Sequence, residues 1–166
     1  RKRGNGCPQR SKVMKKFIIS FMVLLLAGIT VSGCMAVAPK KDLKPSEYDL
    51  GMTYEKAAKE DKPIIAVFYA DWCTYCVRFM PKLDSVRNIY KDKFNVVLLN
   101  VEADENKKLV DDYRISGFPT VYIIDPQYDN RVHIDSPYLD SVKSLSTEVG
   151  RYEKIRELIK KGSTCK

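Results

Sequence analysis

Cys73-Thr74-Tyr75-Cys76 is the pair of residues whose type and spacing point most directly to chemistry. The chain has five cysteines in 166 residues, and the others (Cys7, Cys34 and Cys165) stand far from this pair and from one another. Two thiols three positions apart admit three uses: thiol–disulfide exchange, a static disulfide, or half of a metal site. A bridge over so short a loop removes little chain entropy, so a purely structural role gains little from it. A metal site needs two further ligands, and His133, the only histidine, with Cys165 is a poor supply. Exchange therefore carries the most weight. It needs a nucleophilic sulfur and a second sulfur within reach to resolve the mixed disulfide.

The surrounding elements must supply that geometry. Pro63 opens the apolar run Ile64–Ala70, whose continuity predicts a strand buried on both faces. Apolar residues at 76, 79, 80, 83, 86, 89 and 90 then predict a helix beginning at the cysteines. Cys73 thus falls at a helix N-terminus, where unpaired N–H groups and the helix dipole favour a thiolate. Cys76 lies one turn further on, behind it. The first sulfur is expected to face outward and attack, the second to resolve.

Further along, Phe94–Val101 predicts a second buried strand and Asp104–Tyr113 a helix capped by Asp104. Thr120–Ile124 is a third core strand. A turn through Asp125-Pro126 and Asp129-Asn130 leads to a short strand with Val132 and Ile134. Val149, Tyr152, Ile155, Leu158 and Ile159 stripe a terminal helix. With a lead-in helix capped by Thr53, the order is β-α-β-α-β-β-α, an α/β chain with mixed strand directions.

Phe68-Tyr69-Ala70-Asp71-Trp72-Cys73-Thr74-Tyr75-Cys76 resembles the active-site strand and turn of thioredoxin-fold thiol:disulfide oxidoreductases. Pro81 matches the proline in that family's active-site helix. Ile115-Ser116-Gly117-Phe118-Pro119-Thr120 is similar to the segment carrying its cis-proline. The resemblance covers roughly Lys62 to Lys160 and implies a thioredoxin-like fold, a central mixed sheet flanked by helices. It also implies Cys73 as nucleophile, Cys76 as resolver and Pro119 against the disulfide after a cis bond. The Phe118 backbone would pair with an extended substrate segment, and Trp72 would shield the site edge and receive the substrate. Asp71 is a polar neighbour with either a site or a surface role. No diffusible cofactor is implied, and the partners would be protein thiols or disulfides and a redox partner protein. The chain departs from the pattern at Val67 and Leu98, where many thioredoxins carry a buried Asp and a Lys that assist the second cysteine. A site without histidine between the cysteines and with Trp72 before them resembles the reductive members more than the strong oxidants. A redox-silent binding or assembly module of the same fold is the alternative.

The net charge of +8, from 29 Lys and Arg against 21 Asp and Glu, invites a nucleic-acid reading. Its location withdraws it. Residues 1–16 hold seven bases and no acid, and residues 34–166 are balanced to within one charge. Met14-Lys15-Lys16 and the apolar stretch Phe17–Val31 read as an export signal. Val31-Ser32-Gly33-Cys34 resembles a bacterial lipobox, which implies cleavage before Cys34 and an acyl anchor on it.

The expected organisation is an upstream extension at 1–13, a signal peptide at 14–33, a lipid-anchored tether at 34–50, a domain at 51–162 and a tail at 163–166. A monomer in the bacterial cell envelope, held to a membrane and facing the periplasm or exterior, follows as the expectation. His133 is expected on or beside an edge strand, structural or merely solvated. The stretch from Asp135 to Leu145, with Pro137 and Tyr138, is longer than the fold needs and reads as a loop that could touch partners.

Overall fold

Strict alternation of side chains is what turns this sequence into two cores separated by a sheet. The computed structural model describes residues 43–163. β1 (Ile64–Tyr69) is buried at all six positions. Ile65, Val67 and Tyr69 point into one core, whereas Ile64, Ala66 and Phe68 point into the other. β2 (Asn95–Asn100) runs parallel to β1, with Val67 opposite Leu98. β3 (Thr120–Asp125) is antiparallel to β1, and β4 (Asn130–Ile134) is antiparallel to β3. The sheet order is β2-β1-β3-β4, mixed as expected.

Helices cover both faces. α1 (Tyr54–Ala57) and α3 (Lys107–Asp112) lie with the core of Phe68, Val97 and Leu99. α2 (Thr74–Tyr90) and α4 (Val142–Ser163) bury Phe79, Met80, Leu83, Leu145 and Val149 against the opposite face. A six-residue strand spans about 20 Å, and a 22-residue helix about 33 Å. α4 therefore outruns the sheet. Ile155 and Leu158, expected in the buried stripe, are exposed, and so is Ile89 in the last turn of α2.

Two local expectations are corrected. Asp104 does not cap its helix: Asp104–Asn106 is a 3-10 turn that begins after Ala103 and leads into α3. The segment assigned to a tether is packed from Pro45 onward. Pro45–Glu47 forms a 3-10 turn with Pro45 buried, and Leu50 joins the core. Gly51 follows because a Cβ there would lie 1.9 Å from the Val96 carbonyl oxygen, so the lead-in can cross β2 only without a side chain. The extension at 1–13, the signal segment, Cys34 and the tail with Cys165 lie outside the described residues. Among the described residues no helix is long and apolar enough to cross a membrane.

His133 sits on β4, exposed, with Nδ1 3.1 Å from Asp135, as the edge position suggested. Arg156 on α4 is almost covered, its side chain only 11% exposed. Its Nε donates to Asp125 at 2.6 Å and its Nη2 to Asp61 at 2.6 Å and Gln127 at 2.9 Å. Asp125 is fully buried at the end of β3 and also accepts from the Tyr152 hydroxyl at 3.2 Å. Burial, together with this carboxylate, pushes the Tyr152 phenol up to about 12. Burial works against the charge on Arg156, but its hydrogen bonds to the two carboxylates prevail and raise its pKa. Removing the cation leaves a buried carboxylate without its counter-charge. Arg156→Leu should therefore lower unfolding free energy by about 3 kcal/mol in urea titration, and a loss below about 1 kcal/mol would mean the pair is not coupled to folding.

Candidate functional site

The two site cysteines are positioned by the end of β1 and the start of α2. β1 stops at Tyr69, whose carbonyl accepts from Val101 N–H at 3.0 Å. The chain turns through Ala70, whose carbonyl takes the Cys73 N–H at 3.1 Å. Cys73 is the N-cap of α2, and its Sγ accepts the Cys76 N–H at 3.3 Å. That donor belongs to the unpaired first turn of the helix, and a thiolate accepts it better than a thiol does. The Cys73 thiol also lies 3.5 Å from the carbonyl oxygen of Phe118, toward which it donates.

Both cysteines are thiols here, and they differ in access. Cys73 keeps 7% of its surface open and Cys76 none. A substrate sulfur can meet only Cys73. Burial, with a hydrogen bond to the Cys73 sulfur, pushes the Cys76 thiol up to about 12. The positions beneath the site are apolar: Val67 is fully buried and its parallel-strand partner is Leu98. No carboxylate or amine from those two positions is available to take the Cys76 proton. Among the described residues no group of three His, Cys, Asp or Glu comes together as a metal site.

The third component arrives from β3. The Phe118–Pro119 bond is cis, as the resemblance implied, and Thr120 Oγ1 donates to the Gly117 carbonyl at 2.7 Å across it. Pairing of Phe68 with Thr120 sets the start of β3 beside the end of β1. Phe118 and Cys73 therefore meet, although 45 residues separate them. Trp72 and Tyr75, close to Cys73 in the sequence, are 68% and 72% exposed. The Trp72 ring meets Phe118 edge to face, with centroids 6.0 Å apart. Two large rings left in water beside the one reachable sulfur give the site an exposed aromatic surface.

Two residues matter more than the sequence indicated. Glu102 reads as one acid in a cluster at a helix start, yet its Oε1 accepts the Trp72 indole N–H at 3.0 Å. Asn100 shapes the turn that presents it, accepting from Glu102 N–H at 3.0 Å and, at its carbonyl, from Asn106 at 2.9 Å. Nothing in the local pattern separates Glu102 from Asp104 or Glu105, because the partner is 30 positions away. Asp71 is engaged by the lead-in: Ser46 donates to it from its N–H at 2.9 Å and from Oγ at 2.7 Å. Asp71 thus fastens the segment before the domain to the active-site turn.

A family model described as Thioredoxin matches residues 48–139, more than half of the chain. A chloroplastic thioredoxin-like protein of Arabidopsis thaliana, HCF164, is 32% identical over 105 residues, covering 60% of this chain and 40% of that protein. The thiol:disulfide interchange protein TxlA of Synechococcus elongatus is 28% identical over 123 residues, covering 74% of this chain and 62% of its own length. The chain therefore spans about two fifths to three fifths of these curated relatives. Among solved structures, chloroplastic thioredoxin z superimposes with a TM-score of 0.52 at 26% identity, over 62% of this chain and 92% of that one.

The thiolate, not the thiol, reacts with alkylating agents, so a raised pKa moves reactivity to higher pH. In Cys73→Ser protein, the rate of Cys76 alkylation by iodoacetamide should climb about tenfold per pH unit from pH 8 to 10 without levelling off. A plateau near pH 8.5, the ordinary thiol value, would show that burial does not hold Cys76 protonated.

Proposed function

Because the chain belongs to the thioredoxin family, we propose that it is a thiol:disulfide oxidoreductase exchanging disulfides with partner proteins through Cys73 and Cys76. The observation that carries this reading is the asymmetry of the pair. One sulfur is reachable, receives a helix N–H and lies beside the Phe118 carbonyl, while the other is sealed behind it.

In the forward direction the Cys73 thiolate attacks one sulfur of a substrate disulfide. The substrate S–S bond breaks, its second sulfur leaves as a thiolate and takes a proton from water, and Cys73 enters a mixed disulfide. Cys76 loses its proton and attacks Cys73 Sγ. The mixed disulfide breaks, the substrate leaves as a dithiol, and the chain keeps a Cys73–Cys76 disulfide. Two electrons and two protons have passed to the substrate. A dithiol partner protein restores the pair by the same steps in reverse. The missing acid at Val67 and amine at Leu98 make deprotonation of Cys76 the slow point, with water as the acceptor. The absence of histidine between the cysteines and the presence of Trp72 support reduction as the working direction.

Cys76→Ser removes only the second attack, so it should accumulate mixed disulfides with envelope proteins through Cys73. Their absence on non-reducing gels would overturn the exchange mechanism. In the unaltered chain, a reduction potential between about −270 and −120 mV accords with exchange, whereas one below about −300 mV marks a static bond.

The same proposal places the domain outside the cytoplasm on a lipid anchor. The support is the sequence Met14–Cys34: a basic start, an uncharged apolar run and Val31-Ser32-Gly33-Cys34 at its end. Cys34→Ser should abolish incorporation of radiolabelled palmitate. Undiminished palmitate incorporation in this variant would remove the anchor from the account.

A further inference from the structure

The site is asymmetric in charge as well as in access. On the Trp72 side stands the Glu102 carboxylate. On the Tyr75 side a groove of about 480 Å3 opens between α2 and the 3-10 turn Ser136–Leu139, and Tyr75, Arg78, Lys82, Pro119, Leu139 and Asp140 line it. This turn belongs to the stretch from Asp135 to Leu145 that reads as surplus in the sequence. Here it forms the groove's far wall.

Tyr75, Arg78 and Lys82 occupy positions i, i+3 and i+7, which fall on one face of a helix. At 1.5 Å rise per residue, Arg78 lies about 5 Å and Lys82 about 10 Å along the axis from Tyr75. Lys82 Nζ donates to the Leu139 carbonyl at 3.3 Å and so ties the turn to the helix while keeping its charge at the wall. Arg78 is exposed, and among the described residues it has no ion-pair or hydrogen-bond partner. Asp140 faces two cations, which leaves the groove positive. An extended substrate segment advances about 3.3 Å per residue. A chain held by its cysteine at Cys73 and running over Pro119 would bring its second or third residue to Arg78.

We propose that this groove selects substrate proteins carrying an acidic side chain two or three residues from the reacting cysteine, seated against Arg78. The inference rests on the exchange reading of Cys73 and Cys76. The partner class is therefore an extended, acidic, cysteine-containing protein segment, and the turn Ser136–Leu139 with Lys82 sets the width of the slot that receives it.

Three decapeptides test this. Each carries one cysteine in a disulfide with 2-mercaptoethanol, and they differ only in having Glu, Gln or Lys at the third position from it. Second-order rate constants are measured with the reduced full chain. The Glu peptide should react about threefold to tenfold faster than the Lys peptide at low ionic strength, the range expected of one solvent-edged charge contact. The advantage should shrink in about 0.5 M salt. Arg78→Gln should remove most of the difference, and Arg78→Glu should reverse the order. Equal rates for the Glu and Lys peptides, or an order that Arg78→Glu leaves unchanged, would overturn the assignment of the groove. If Cys76→Ser protein forms no disulfide with any of the peptides, the exchange reading fails, and this inference fails with it.

Discussion

The antiparallel pairing of β1 with β3 is the constraint on which the site depends. β1 delivers the chain to Cys73 at its C-terminal end, and β3 departs from Pro119 at its N-terminal end. Only opposite strand directions put those two ends on the same edge of the sheet, and the register with Phe68 against Thr120 sets them level. A slip of one residue would turn every side chain of β3 to the wrong core. Because β1 is buried on both faces, its neighbours are held in register by two cores at once. The geometry around Cys73 is thus inherited from the best-packed part of the molecule, not built by the loops that carry it.

Given that frame, the two sulfurs acquire different chemistry from one helical turn. Cys73 lies at the surface end of α2, where a helix N–H is free to reach its sulfur. Cys76 is rotated inward onto the same core as Phe79 and Met80, and burial holds its proton. The rings of Trp72 and Phe118 enclose the mouth on one side, and Glu102 holds the indole in place. The apolar floor of Val67 and Leu98 separates this chain from relatives of the pattern that keep charged groups there.

Charge is placed as deliberately as apolar surface. The buried Asp125 and Arg156 lie at the end of β3 remote from the cysteines, where they join α4 to the sheet. The charges near the site are at its rim, acidic beside Trp72 and basic beside Tyr75. Rim charges cost little desolvation and discriminate among partners more than they add affinity.

Most of the fold is legible in the sequence because its signals are periodic and local. The run Ile64–Ala70, short and opened by Pro63, reads as a doubly buried strand, and the stripe from residue 76 to 86 as one face of a helix. The Cys73–Cys76 pair and the Gly117-Phe118-Pro119 segment are legible together through their resemblance to the thioredoxin pattern. Residues whose meaning depends on a partner far along the chain stay hidden: Glu102 is one acid among three until Trp72 meets it, and Arg156 is one base on a charged helix until Asp125 and Asp61 close on it. The packed lead-in at Pro45 to Leu50 and the groove wall at Ser136–Leu139 were equally invisible, since polar, proline-bearing segments look alike whether they wander or dock. Local pattern therefore determined the elements and the reactive pair. Which charges are buried, what orients Trp72 and what shape the substrate meets were decided by tertiary contacts, because each is a relation between distant residues and no single residue carries it.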